Sequence, residues 1–234
     1  MDLPHFYITE TPVVGSQIAL SEESSRHCIQ VLRMKSDEPL MLTNGKGSIF
    51  RGSITKEDKR NCLVSITHAE QITIPARRIT IAISLVKNAS RFEWFLEKAT
   101  ELGVTAIIPL LCDRTEKQYF RQDRMNNIVV SAMLQSKQAF LPTLSAPTSF
   151  RQFISNNAII QNFIAHCVEN HKQSLSQFNL VGDSCILIGP EGDFSNEEID
   201  IALQHNYHPI SLGNTRLRTE TAGIVAATLA INLL

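Results

Sequence analysis

The sequence predicts an α/β protein: a small β-barrel-like module followed by a larger domain built on a largely parallel sheet. Three observations carry this reading. From residue 79 onward, short apolar runs alternate with longer segments of helical periodicity, the pattern of parallel strands joined by crossover helices. Before a joint at residues 71–78 (QITIPARR), short β-type runs dominate, with Asn44-Gly45-Lys46-Gly47 as a hairpin signal between two of them. The last third places two glycine-containing turns directly after strand-like runs, and a third loop, RLRTET, at the start of an apolar helix. The joint divides the chain into residues 1–72 and 73–234.

Each element has its own local justification. In the first module, strands are expected at residues 5–9, 40–43, 48–55 and 63–67, and one helix at 22–34 behind Ser21. In the second, residues 79–85 read as a buried strand. A helix follows from Arg91, with Ser90 and Glu93 in capping-box spacing and Gly103 as its stop. Phe92, Phe95, Leu96, Ala99 and Leu102 give that helix one apolar face. Further strands are expected at 106–111, 159–165, 185–189 and 209–212, and helices at 124–140, 197–204 and 221–233. Ser195 and Glu198 form a second capping-box pair.

Composition bounds the class. The 234 residues are 43% hydrophobic with a mean hydropathy of -0.04, as in ordinary globular proteins. Five cysteines without CxxC spacing argue against a disulfide framework or a zinc site and fit a reducing cytoplasm. The start, MDLPHFYITE, lacks a basic stretch followed by an apolar core, so no signal peptide is expected. The longest apolar stretch, residues 222–231, is too short to span a bilayer. A net charge of -1 gives no bulk signal for nucleic acid, so any RNA surface must be a local patch.

The chemistry-bearing segments each admit two readings. Gly189-Pro190-Glu191-Gly192 is either a plain strand-to-helix turn or a loop whose backbone approaches a ligand. It has neither the Walker nor the GxGxxG spacing. Arg218 and Glu220 are either an Arg–Glu pair in a solvated loop or an oxyanion-stabilising guanidinium with its orienter or weak base. The apolar terminal helix is core, subunit interface or both. His166 and Cys167 read as a strand-end pair packed in the core, without the ligand spacing of a metal site. Arg26, Arg33, Lys35, Lys46, Arg114, Lys117, Arg121 and Arg124 are single solvated charges unless they converge into a phosphate track.

Taken together, HCIQVLRM with NGKG, KNASRFEWFLEKATELGVTAIIPL, LIGPEGDFS and SLGNTRLRTETA resemble the motifs of a known family over nearly the whole chain. The chain resembles the bacterial 16S rRNA (uridine-N3)-methyltransferases of the RsmE family, SPOUT-class enzymes with an N-terminal PUA-like domain. The resemblance implies a PUA-like β-barrel RNA-binding domain and a trefoil-knotted methyltransferase domain, a rare exception to unthreaded connectivity. It implies S-adenosyl-L-methionine as cofactor, a cytoplasmic homodimer without metal, and uridine 1498 of 16S rRNA in the 30S subunit as target. Carried over by position, the cofactor loops are Ile188, Gly189, Pro190, Glu191 and Gly192; then Leu212, Gly213 and Asn214; then Leu217, Arg218 and Thr219. Arg218 and Glu220 are the catalytic candidates, and Lys87 and Arg91 join Arg26, Arg33, Lys35, Lys46 and Arg114 as RNA candidates. Asp193 stands where the motif usually has a second glycine, and His5 where an arginine is usual. Two alternatives stand beside this reading: a SPOUT enzyme acting on another RNA nucleotide, and a non-catalytic RNA-binding assembly factor.

Overall fold

The computed structural model describes residues 3–116, 119–168 and 172–233. It divides into two compact units, one of Met1–Ile74 with Met133–Leu141, the other of Pro75–Ala132 with Pro142–Leu234.

The first unit is a five-stranded half-barrel. Its strands are β1 (His5–Tyr7), β2 (Gln17–Ala19), β3 (Pro39–Thr43), β4 (Ser48–Lys56) and β5 (Leu63–Gln71), ordered β1-β3-β4-β5-β2. β1 runs parallel to β3 and the other pairs are antiparallel. The short β2 is absent from the sequence reading, since three residues are too few to show alternation. Alternating residues Leu40, Leu42, Phe50, Ile54, Val64 and Ile66 fill the core under the sheet. Helix α1 (Glu22–Arg26) is capped by the Ser21 side chain and continues as a π-turn over His27–Val31. The helix expected to reach residue 34 therefore stops earlier, where Arg33 adopts φ 57°. The β3–β4 turn is built as its residues suggest: the buried Asn44 Oδ1 accepts from the backbone N–H groups of Lys46 (2.9 Å) and Ser48 (3.2 Å).

The second unit carries an eight-stranded sheet in which every pair is parallel. In chain order its elements are β6 (Ile79–Ser84), α2 (Ala89–Leu102), β7 (Ala106–Leu111), α3 (Gln122–Gln135, the last three residues of which belong to the first unit), β8 (Thr143–Leu144), β9 (Thr148–Ser149) and α4 (Phe150–Asn156). They continue with β10 (Gln161–Ala165), β11 (Gln173–Ser174), β12 (Ser184–Ile188), α5 (Asn196–Gln204), β13 (His208–Ser211) and α6 (Thr219–Asn232). The strand order is β11-β13-β10-β12-β6-β7-β8, with β9 also on β7. Every residue of β6 and β12 is buried, as expected when helices cover both faces of a parallel sheet. On one face Ala82, Ile164, Cys185 and Leu187 pack with Phe150, Phe153, Ile199 and Tyr207. On the other, α2 and α6 pack together over β6.

Two expected caps resolve differently. The Ser195–Glu198 box at α5 forms with both of its hydrogen bonds. At α2 the cap is Asn88, whose side chain accepts from the Ser90 N–H, and Glu93 instead holds Arg124 through two bonds of 2.6 and 2.9 Å. An Asx cap two residues earlier wins because Glu93 finds a guanidinium partner from α3. Gly103 ends α2 at φ 91°, a conformation that favours glycine. The helix expected over 124–140 ends at Gln135, just ahead of Lys137 at φ 56°. The short α4, β8, β9 and β11 lack a periodic signature and are absent from the sequence reading.

Candidate active site

Parallel strands deliver their following loops to one edge of the sheet, and ligands bind at that edge in open α/β folds. Here β13, β10 and β12 are consecutive in the sheet, with Ala165 opposite both Ile188 and Ile210. The loops after Ala165, Ile188 and Ser211 therefore leave at one level. Two adjoining cavities lie among them. One, of about 270 Å³, is lined by Ile188, Gly189, Pro190, Glu191, Leu217, Arg218 and Thr219, among others. The other, of about 430 Å³, is lined in part by Leu212, Gly213, Asn214 and Leu217. Ala165, Cys167, Arg216, Leu217 and Ala222 belong to both walls. All the residues singled out as cofactor loops thus meet in one cleft, except Gly192, which lines neither cavity.

The cleft is braced from several directions. Thr219 Oγ1 donates to the Gly189 carbonyl (3.0 Å), joining the start of α6 to the loop after β12. The Lys87 backbone N–H donates to Glu191 Oε1 (3.1 Å). Arg114 Nη1 donates to the carbonyls of Gly192 (2.7 Å) and Phe194 (3.2 Å). A Cβ on Gly189 would lie 3.0 Å from the Phe194 ring, so the loop sits tight on its own phenyl anchor. Gly213, at φ 138°, is among the residues that line the larger cavity.

Arg218 is the cap residue of α6, exposed, and in the wall of the smaller cavity. Glu220 does not pair with it. It sits in the first turn of α6, 7% exposed, with Oε1 3.7 Å from Arg91 Nε and Oε2 buried without a hydrogen-bond partner. The picture of a solvated Arg–Glu loop is thus corrected: helix packing against α2 buries the carboxylate and supplies a different arginine. Arg91, Trp94, Ser90, Glu220 and Thr221 line a separate recess of about 320 Å³.

Sequence reasoning missed the third wall. His166 is buried with both ring nitrogens unpartnered, and Cys167 is exposed; both line the cleft, together with Lys172. The expected core pairing therefore holds for the His166 ring alone. Burial, and secondarily the nearby Lys172, hold the His166 pKa below its usual value. The sequence marks this wall only by its place just after a strand-like run, since the neighbours of that strand are set by the tertiary fold.

The RNA candidates fall in both units. In the first, Arg26 pairs with Glu22 (2.8 Å) and Lys35 with Glu57 (3.3 Å), while Arg33 and Lys46 are exposed. In the second, Lys87 pairs with Glu116 (2.7 Å), which raises its pKa, and Arg91 and Arg114 are engaged as described. Arg124 pairs with Glu93, Arg121 is exposed, and Lys117 lies outside the described residues. Exposed ion pairs of this kind are weak enough to exchange for phosphate. Among the described residues no group of three or more metal-ligating side chains assembles, and no helix is long and apolar enough to cross a membrane.

Comparison with known proteins agrees with this architecture. Residues 73–231 match the RNA methyltransferase domain family, and residues 20–67 match the RNA methyltransferase PUA domain, which defines the class. A Synechocystis sp. protein named ribosomal RNA small subunit methyltransferase E is 31% identical over 221 residues, covering 92% of this chain and 72% of that one. A crystal structure from Porphyromonas gingivalis is 36% identical with a TM-score of 0.90, covering 99% of this chain and 98% of its own. The ribosomal RNA small subunit methyltransferase E of Neisseria gonorrhoeae, solved bound to S-adenosyl methionine, is 28% identical with a TM-score of 0.90 and covers 99% and 98%. The chain belongs to the ribosomal RNA small subunit methyltransferase E family.

Proposed function

We propose that this protein methylates N3 of uridine 1498 in 16S rRNA of the small ribosomal subunit, using S-adenosyl-L-methionine. The observation that carries the reading is the convergence of the loops after β10, β12 and β13 on one cleft, with Arg218 in its wall. The residues present fit the cofactor: backbone-rich loops with a tight glycine seat, around two adjoining cavities of which the larger, about 430 Å³, has the size of ordinary ligand sites. The Neisseria relative is solved with that cofactor bound. Ile188, Gly189, Pro190 and Glu191, Leu212, Gly213 and Asn214, and Leu217, Arg218 and Thr219 are proposed to hold it, with Gly192 supporting the loop from outside the cavities.

When bound, the cofactor supplies a methyl group on a sulfonium. The chain's own residues prepare the acceptor. Uracil N3 is a weak acid, so a proton must leave as attack proceeds. Arg218 stabilises the negative charge that develops on the uracil oxygens. The proton passes to solvent or to Glu220, whose Oε2 has no partner but which lines the recess beside Arg91 rather than the cleft itself. The target base is turned out of its stack to enter the cleft. The PUA unit contributes Arg26, Arg33, Lys35 and Lys46 to the RNA surface, and the catalytic unit Lys87, Arg91 and Arg114. A knotted, cytoplasmic homodimer belongs to the same proposal, and sedimentation of the purified protein tests the dimer.

Arg218→Ala is expected to lower methyl transfer by about 10²-fold, the scale for losing an oxyanion donor, while cofactor affinity falls far less because the loop backbone is kept. The check is a label-transfer assay on undermethylated 30S particles, calorimetry with the cofactor, and mass spectrometry of the rRNA nucleosides. Near-normal turnover removes Arg218 from the mechanism. Label on another nucleoside selects a different RNA target, and no cofactor affinity at all selects an assembly factor.

A further inference from the structure

We propose that Asp193 is a positioning residue of the cleft, a clamp that ties the loop after β12 to the loop after β10 and thereby sets the shape of the cofactor site. The inference rests on the reading of that cleft as the S-adenosylmethionine site.

Asp193 adopts φ 65°, a left-handed conformation in which side chains are uncommon outside glycine, asparagine and aspartate. Its carboxylate uses both oxygens on backbone donors. Oδ1 accepts from the Phe194 N–H (2.9 Å) within its own loop, and Oδ2 accepts from the Cys167 N–H (2.8 Å) across the cleft. Its own N–H closes a turn onto the Pro190 carbonyl (2.9 Å). The other braces of this loop pull toward different strands: Lys87 follows β6, and Arg114 follows β7. The carboxylate of Asp193 reaches instead toward β10, the strand whose following residues His166 and Cys167 form the missed wall. Asp193 and Cys167 both line the smaller cavity, so the clamp lies in its wall rather than behind it. A glycine would adopt the same backbone more easily and would leave the two loops unlinked. The carboxylate at this position therefore acts on the spacing of the walls.

Two variants separate backbone from clamp. Asp193→Gly accepts the left-handed backbone and removes both acceptors, whereas Asp193→Asn tolerates the same backbone and keeps one. Two readouts follow each. The first needs no cofactor: Cys167 is exposed while Cys28, Cys62, Cys112 and Cys185 are buried, so alkylation of the folded protein by a small maleimide reports on the Cys167 segment. The second is calorimetric affinity for S-adenosylmethionine. The expected result is faster labelling of Cys167 in Asp193→Gly, with cofactor affinity weakened about tenfold, the equivalent of one charge-assisted hydrogen bond. Asp193→Asn should fall between, and KM for the cofactor should rise more than kcat falls. Unchanged labelling, or altered labelling with unchanged affinity, overturns the proposal. Weakened affinity with unchanged labelling overturns it as well, because Asp193 would then act on the ligand directly. If the unsubstituted protein shows no cofactor affinity, the reading of the cleft fails, while the labelling rates still decide whether the clamp exists.

Discussion

His166 shows how a single residue couples the cleft to pH. Its ring is buried, neither nitrogen has a partner, and burial shifts its pKa below the usual 6.5. A lowered pKa means the unfolded chain binds a proton before the folded one does. Stability is therefore full above the unfolded value and declines as pH falls through about 6.5 toward the lower folded value. His166→Phe, which cannot protonate, should flatten that part of the profile. Melting temperatures of both proteins between about pH 7.5 and pH 5.5 test this, and parallel profiles would remove His166 as a cause. At the same scale, Arg114 changes meaning. As sequence it is one more surface cation; in the fold its guanidinium holds the carbonyls of Gly192 and Phe194. Nothing in its neighbours along the chain announces partners 78 and 80 residues away.

Between elements, the contact of α2 with α6 is a sharp test of packing. A Cβ on Gly223 would lie 2.6 Å from Phe95 Cε2 and 2.8 Å from Ile83 Cδ1. Alanine there should gain about 1 kcal/mol of helix propensity, yet overpacking a dense core costs about 1–3 kcal/mol. The second effect wins, because the obstacles are a buried ring and a strand residue, both at 0% exposure. Gly223→Ala should therefore destabilise in urea titration, and Phe95→Leu should recover part of the loss in the double variant. A neutral or stabilising Gly223→Ala would show that α6 can shift. The elements themselves were legible to different degrees. The apolar run of α6, the Ser195–Glu198 box and the Asn44–Gly47 turn are local and carry their geometry in adjacent residues. The α2 cap was misplaced because Ser90 and Glu93 have box spacing, but Glu93 is taken by Arg124, a competition only tertiary contact can create.

For the molecule as a whole, a net charge of -1 means that binding to RNA has to come from local patches. Such binding should weaken steeply with salt, since each phosphate neutralised contributes about 0.7–0.9 to the slope of log K against log salt. Lys46, exposed at the tip of the β3–β4 turn, should on substitution by alanine lower that slope by about 1 without a change in sequence preference. Filter binding to a 16S rRNA fragment over a salt series is the measurement, and an unchanged slope would take Lys46 off the RNA surface. Alternating strands and helices, hairpin chemistry, glycine bends and the family motifs were all written along the chain, because each depends on residues a few positions apart. The identity of the cleft's third wall, the pairing of Glu220 with Arg91, the bracing by Arg114 and the clamp by Asp193 were not. The third wall and the Asp193 clamp arise because a parallel sheet places β10 between β12 and β13, the Glu220–Arg91 pairing because α6 packs on α2, and the Arg114 bracing because the segment after β7 meets the loop after β12; no local pattern encodes which elements become neighbours.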